Sequence, residues 1–181
     1  SRYFAFVLSI LIVCAAAPLH PQQNLSRSHP KYRTAKKVFD DLVRAIGDGR
    51  TRPRLQLQPG TVGSHMQVAW FSPEQNAVTL QERAYDLCIS LGADSLNGLA
   101  ALLGHELAHY YQDHGWVGDF GNGFADLAVG QVLKEHKKDK ARLVKVETEA
   151  DVFGGFYGHV AGYNTLGVAP QVLEQVYHEY E

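Results

Sequence analysis

Apolar side chains recur at intervals of three and four residues in several parts of the chain. Val38, Leu42, Val43 and Ile46 mark one such stretch, and a leucine-rich stretch covers residues 95–113. This spacing places apolar side chains on one face of an α-helix. Further helices are predicted for residues 82–91, 124–137, 140–162 and 170–181. We therefore expect a predominantly helical protein.

Shorter stretches between the first two predicted helices indicate strands. Leu55 and Leu57 alternate with polar residues, and residues 67–71 and 77–80 flank a Ser-Pro-Glu-Gln-Asn turn. Alternation and turn residues of this kind are typical of a hairpin in a small sheet. The predicted fold class is α+β, mostly helical, with a small antiparallel sheet.

Composition limits the size and the partners of the protein. The 181 residues are 45% hydrophobic, enough for one sizeable core, and the net charge is −2. A charge so close to zero gives no sign of binding to nucleic acid or to an anionic membrane. One folded domain without a nucleic-acid partner is the expectation.

The leucine-rich helix contains the sequence His105-Glu106-Leu107-Ala108-His109, an HExxH pattern. Residues four apart lie on one face of a helix, so both imidazoles can reach one metal ion. Glu106 then projects beside the open coordination position, where it can act as a general base toward water. The spacing predicts a site for one Zn²⁺ per chain.

A catalytic zinc usually has three protein ligands, so one more group is needed. Glu147 and Asp151 lie four residues apart on the helix predicted for residues 140–162, and Glu149 is turned away from their face. We expect Glu147 to bind zinc. Asp151 would accept a hydrogen bond from a ligating imidazole and fix its tautomer.

HExxH followed by this Glu-x-x-Ala-Asp segment resembles the gluzincin metalloproteases of the HtpX and CAAX-prenyl-protease type. The resemblance is confined to residues 95–113 and 140–162. It implies a zincin-like fold, His105, His109 and Glu147 as zinc ligands, Glu106 as general base, and Asp151 as the acidic residue that ends the second motif. The implied activity is hydrolysis of peptide bonds.

The sequence also offers other possible sets of zinc ligands. The metzincin pattern would require glycine and histidine in place of Gln112 and Gly115, so it is excluded. Asp113, four residues beyond the motif, and Glu149 are alternative third ligands. His114 is interpreted as a loop or rim residue.

The chain departs from the family pattern in one respect that concerns the mechanism. Many relatives carry, downstream of these motifs, a basic or imidazole group that stabilises the tetrahedral oxyanion, often within a His-Pro segment followed by an arginine. This chain has no such segment after Asp151. Hydrogen-bond donors that follow Asp151 are Tyr157, His159, Tyr163 and His178. The sequence does not assign the oxyanion role to any of them.

The first residues are predicted to be separate from the catalytic domain. Residues 3–17 are almost uniformly apolar and are followed by a polar stretch rich in proline and glutamine. About 15 apolar residues are fewer than the roughly 20 of a membrane-spanning helix and suit a secretory signal. We assign 1–17 to a signal peptide or N-terminal anchor, 18–30 to a polar linker, and 31–181 to a zinc metallopeptidase domain.

These assignments predict an exported zinc endopeptidase, periplasmic or extracellular, which is membrane-associated if the first segment is retained. Its partner is a peptide or protein substrate, and residues 77–80 are the candidate edge strand for binding it. The helical pattern of residues 170–181 has no C-cap, which favours an additional C-terminal domain. Alternatives are a catalytically silent zinc-binding module and a zinc amidohydrolase acting on non-peptide amides.

Overall fold

The computed structural model describes residues 23–60, 68–113, 140–169 and 171–172, with the backbone alone for residues 140–144. The predicted N-terminal leader, the helix predicted for 124–137, and most of that for 170–181 lie outside these ranges. The elements in chain order are α1 (Pro30–Ile46), β1 (Arg54–Gln58), β2 (Ala69–Ser72), β3 (Ala77–Gln81), α2 (Glu82–Ser90), α3 (Ser95–Tyr111) and α4 (Lys140–Val160). The mostly helical α+β class is confirmed.

The first helix begins and ends at residues that suit helix termini. The His29 side chain accepts a hydrogen bond from the backbone N–H of Lys31, and Pro30 occupies the first turn. Gly47 ends the helix in the left-handed conformation, with φ of 65°, and its N–H bonds to the carbonyl of Val43.

The sheet has three strands in the order β1-β3-β2 and is mixed. β2 and β3 form the predicted antiparallel hairpin, but β1 runs parallel to β3. The prediction of an antiparallel sheet was therefore wrong for one of its two pairings. The chain reverses direction twice between β1 and β3, so these strands are parallel when they become neighbours.

The candidate substrate strand was also wrongly placed. Residues 77–80 belong to β3, which is the central strand and is buried along its whole length. Pairing on both sides leaves β3 no free edge for an extended peptide. Within the described chain, the outer strands are β1 and β2, and β2 is the one that packs against α3.

Helix α3 lies at the centre of the molecule and packs against α1, α2, α4 and β2. Leu99, Leu103 and Leu107 on this helix are fully buried. Each buried leucine of this kind contributes roughly 2 kcal/mol to stability through the loss of apolar surface from water. None of the helices in the described ranges has the length and apolar character needed to cross a membrane.

Helices α3 and α4 make backbone contact at two glycines. A Cβ added to Gly104 would lie 2.7 Å from the carbonyl oxygen of Gly154, and one added to Gly154 would lie 2.5 Å from the backbone nitrogen of His105. Only glycine allows so close an approach of two helices. Gly154 is therefore a point of backbone contact between α3 and α4.

We expect Gly154→Ala to lower the free energy of unfolding by about 1–3 kcal/mol, the typical cost of overpacking. Its new methyl group would meet backbone atoms, which cannot rotate away. Gly155→Ala is the matched control, because its methyl group would meet only the Leu166 side-chain tip, and Leu166 is 66% exposed. Urea unfolding of both variants tests this, and equal losses would contradict the assigned contact.

Candidate metal centre

The helical spacing of the HExxH motif brings two imidazoles together on α3. The Nε2 atoms of His105 and His109 lie 3.0 Å apart, and the rings are inclined at 73°. Both residues lie in the last two turns of α3, beyond the glycine contact with α4. They therefore face the beginning of α4 rather than the interior of the core.

The third group of the cluster is Glu147 on α4. Its Oε2 lies 3.2 Å from His105 Nε2, and its Oε1 lies 3.8 Å from His109 Nε2. In the described part of the chain, this is the cluster of three metal-ligating side chains that the structure brings together. The arrangement can bind a metal ion.

Two of the three separations within the cluster are close to those of tetrahedral coordination, and the third, 3.8 Å between His109 Nε2 and Glu147 Oε1, is longer. Two ligand atoms about 2.05 Å from a tetrahedral ion lie about 3.3 Å from each other. The His–His separation of 3.0 Å and the shorter His–Glu separation of 3.2 Å are close to this value. Two imidazoles and one carboxylate are also the ligand set of several catalytic zinc sites, which leave a fourth position open.

Glu106 lies on α3 beside the cluster but is not one of its ligands. Its side chain is buried, and burial, with the nearby charge of Glu147, raises the pKa of the carboxyl to about 7 despite the lowering effects of His105 and a Phe71 backbone hydrogen bond. A pKa near neutrality suits a group that takes up and releases a proton. A divalent cation in the cluster would lower this pKa, because it favours the carboxylate.

A backbone hydrogen bond from Phe71 on β2 to Glu106 shows how β2 is oriented toward the site. The N–H of Gln81 donates to the carbonyl of Val68 at 3.0 Å, which sets the hydrogen-bond alternation of the β2–β3 pair. The backbone polar groups of Ala69 and Phe71 therefore point away from β3. Phe71 uses its N–H to bond the Glu106 carboxylate, so the outer edge of β2 faces the cluster.

Asp151 supports one of the imidazoles from the next turn of α4. Its Oδ1 lies 2.8 Å from Nδ1 of His105. Burial lowers the pKa of His105, but hydrogen bonds to Glu147 and Asp151 and the charge of Glu106 outweigh burial and raise it to about 9. A proton held on Nδ1 by Asp151 leaves Nε2 as the atom that can bind a metal.

We expect Asp151→Ala to weaken metal binding by about 10–100-fold without removing a ligand, as is typical for partners of ligating histidines. The measurement is a competition titration with a chromophoric chelator. Glu149→Ala is the control, since it removes the same charge from α4 outside the cluster. Unchanged affinity in Asp151→Ala would show that this hydrogen bond does not orient His105.

The alternative ligands named from the sequence lie elsewhere. Asp113 is 78% exposed and pairs with Arg50 at 3.0 Å. Glu149 lies 3.7 Å from Lys145 on α4. Neither belongs to the cluster, which Glu147 completes from α4.

The candidate oxyanion donors have other positions or partners. The Tyr163 hydroxyl donates to Asp41 on α1, and the Tyr157 hydroxyl accepts from Gln112. His159 is exposed near the end of α4, and His178 lies outside the described residues. The structure does not bring any of these groups into the cluster of described residues.

Arg50 is a residue of this region that the sequence reasoning missed. Its guanidinium donates to the carbonyl of Tyr111 at 2.7 Å and pairs with Asp113, at the end of α3. It also lies over the rings of Tyr110 and Tyr111. The arginine thus satisfies a terminal carbonyl of the helix that carries the histidines, and no local pattern around Arg50 indicates this contact.

Comparisons with models of known protein families, with curated proteins and with solved structures find no match for this chain.

Proposed function

We propose that this protein is a zinc-dependent endopeptidase of the gluzincin type. The observation that supports this most directly is the position of Glu106, a buried carboxylate that lies beside a cluster of two histidines and one glutamate and is not part of it. A structural zinc site closes its fourth position with a protein ligand and has no use for such a group. A hydrolytic site requires it.

In this proposal each side chain has a distinct task. Zinc, when bound by His105, His109 and Glu147, supplies Lewis acidity that polarises a carbonyl and acidifies water. Glu106 takes a proton from the attacking water and passes it to the leaving amine. Asp151 keeps His105 in the tautomer that leaves Nε2 available.

The position of β2 favours a peptide over a small amide as substrate. Its outer edge carries the backbone groups of Ala69 and the carbonyl of Phe71, and the N–H of Phe71 already bonds Glu106. An extended peptide can bind such an edge by adding a strand, which places a backbone amide next to the catalytic carboxylate. A small non-peptide amide would make no use of this edge.

Metal content and hydrolysis of a fluorogenic peptide library, measured on one sample, test the proposed function. We expect one zinc per chain, cleavage that stops when a chelator removes the metal, and recovery when zinc is restored. Metal binding without cleavage of any peptide would favour a silent zinc-binding module. Cleavage of simple amides but not peptides would favour an amidohydrolase.

A further inference from the structure

An open groove of about 360 Å³ runs along the exposed side of α1 and the segment before it. Its lining contains five cations and two carboxylates, a formal net charge of +3, although the whole chain carries −2. We call this surface the basic face. The residues that line it are Arg27, Tyr32, Arg33, Lys36, Lys37, Asp40, Asp41 and Arg44.

The basic face combines a helical stripe with a residue from outside the helix. The charged side chains between Arg33 and Arg44 follow one another at intervals of three and four residues, so they share a side of α1 opposite its core residues. Arg27 joins them from the segment before the helix. Positive charge is therefore concentrated on this side of α1, although the net charge of the whole chain is small.

Part of this positive charge has no ion-pair partner among the residues that the structure describes. Asp40 pairs with Lys36 at 2.6 Å. Asp41 pairs with Lys37 at 2.9 Å and with Arg44 at 3.1 Å. Arg27 and Arg33 are exposed, and no ion pair within the described residues involves either of them. Two guanidinium groups thus remain available for an external anion.

We propose that the basic face binds the surface of an anionic phospholipid membrane. From Arg33 to Arg44 the cations extend over about 16 Å of helix, too far for one phosphate but suited to a row of headgroups. The apolar residues 3–17 end ten positions before Arg27, which limits their distance from the basic face to about 36 Å. A retained N-terminal anchor would keep the basic face near a lipid surface, which favours a lipid surface over nucleic acid.

The test is flotation of the full chain with vesicles of phosphatidylcholine, alone or mixed with phosphatidylglycerol. We expect tighter binding to the anionic vesicles. Arg27→Gln with Arg33→Gln should weaken this binding roughly 25-fold, since each cation at such a surface contributes about five-fold. Arg52→Gln with Lys145→Gln is the control, because it removes two exposed charges outside the basic face.

The comparison of two lipid compositions separates the basic face from the apolar segment, which would bind both vesicles alike. Equal binding to both, or an equal loss in the control variant, would overturn the proposal. Displacement by millimolar inorganic phosphate would identify a small-anion site instead. Tighter binding to an RNA oligonucleotide than to the anionic vesicles would identify a nucleic-acid surface. No result depends on whether the metal centre is catalytic.

Discussion

Glu106→Gln is expected to abolish peptide hydrolysis while one metal ion per chain remains bound. Glutamine has the shape of glutamate and can still accept the hydrogen bond from Phe71, but it cannot take a proton from water. Loss of a general base typically lowers the rate by about 10²–10⁴-fold. Single-turnover hydrolysis and metal analysis of the same preparation provide the two measurements.

The matched control for this variant is Glu149→Gln, the same change on α4 at a residue outside the cluster. It should keep both activity and metal. Hydrolysis that persists in Glu106→Gln at more than a tenth of the wild-type rate would contradict the role of Glu106 as base. Loss of metal from this variant would instead make Glu106 part of the coordination sphere.

Glu147→Ala is expected to reduce metal content well below one ion per chain. The change removes one of three ligands, so we expect the affinity to fall by more than the roughly 100-fold upper range for loss of an outer partner. The fold should persist, because the Glu147 side chain is 56% exposed. Metal analysis after dialysis against a weak chelator measures the effect.

Glu149→Ala again serves as the control, since it removes a carboxylate two residues away. Retention of a full metal complement by Glu147→Ala would assign the third ligand to another residue. Loss of metal in both variants would indicate that the total negative charge of α4 holds the ion rather than a specific ligand. Circular dichroism of the metal-free proteins separates either result from unfolding.

The paired predictions distinguish a working site from a site that only binds metal. Glu106→Gln is expected to affect turnover alone, Glu147→Ala to affect the metal and therefore turnover, and Asp151→Ala to weaken metal binding to a smaller extent. A silent binding module would show the weakened metal binding of Glu147→Ala and Asp151→Ala. It would have no activity for Glu106→Gln to remove. Metal affinity should fall more in Glu147→Ala than in Asp151→Ala. This order tests the geometry of the metal cluster without the choice of a substrate.

Features of the site within one helix could be predicted because they depend on helical periodicity. The spacing of His105 and His109 places both imidazoles on one face whatever surrounds α3. Helical periodicity likewise predicted that Glu147 and Asp151 share one face of α4 and that Glu149 is turned away from it. Local capping likewise determined where α1 ends, because Gly47 accepts a left-handed conformation that other residues avoid.

The arrangement of the strands could not be predicted in this way. The turn between β2 and β3 is local and produced a hairpin, but the neighbour of β1 depends on where the chain returns. Alternating apolar residues show that a strand has a buried face and do not show which strand lies beside it. For that reason the central strand β3 was taken for an edge.

By itself, the sequence determined α1 to α4, the hairpin, and the set of side chains able to bind a metal, because these follow from spacing along the chain. Only the tertiary structure decided which carboxylate meets the histidines, how deeply Glu106 is buried, and that β2 faces it. These depend on contacts between distant segments, above all the approach of α3 and α4 at Gly104 and Gly154. Such contacts result from the packing of the whole core, which no single stretch of sequence encodes.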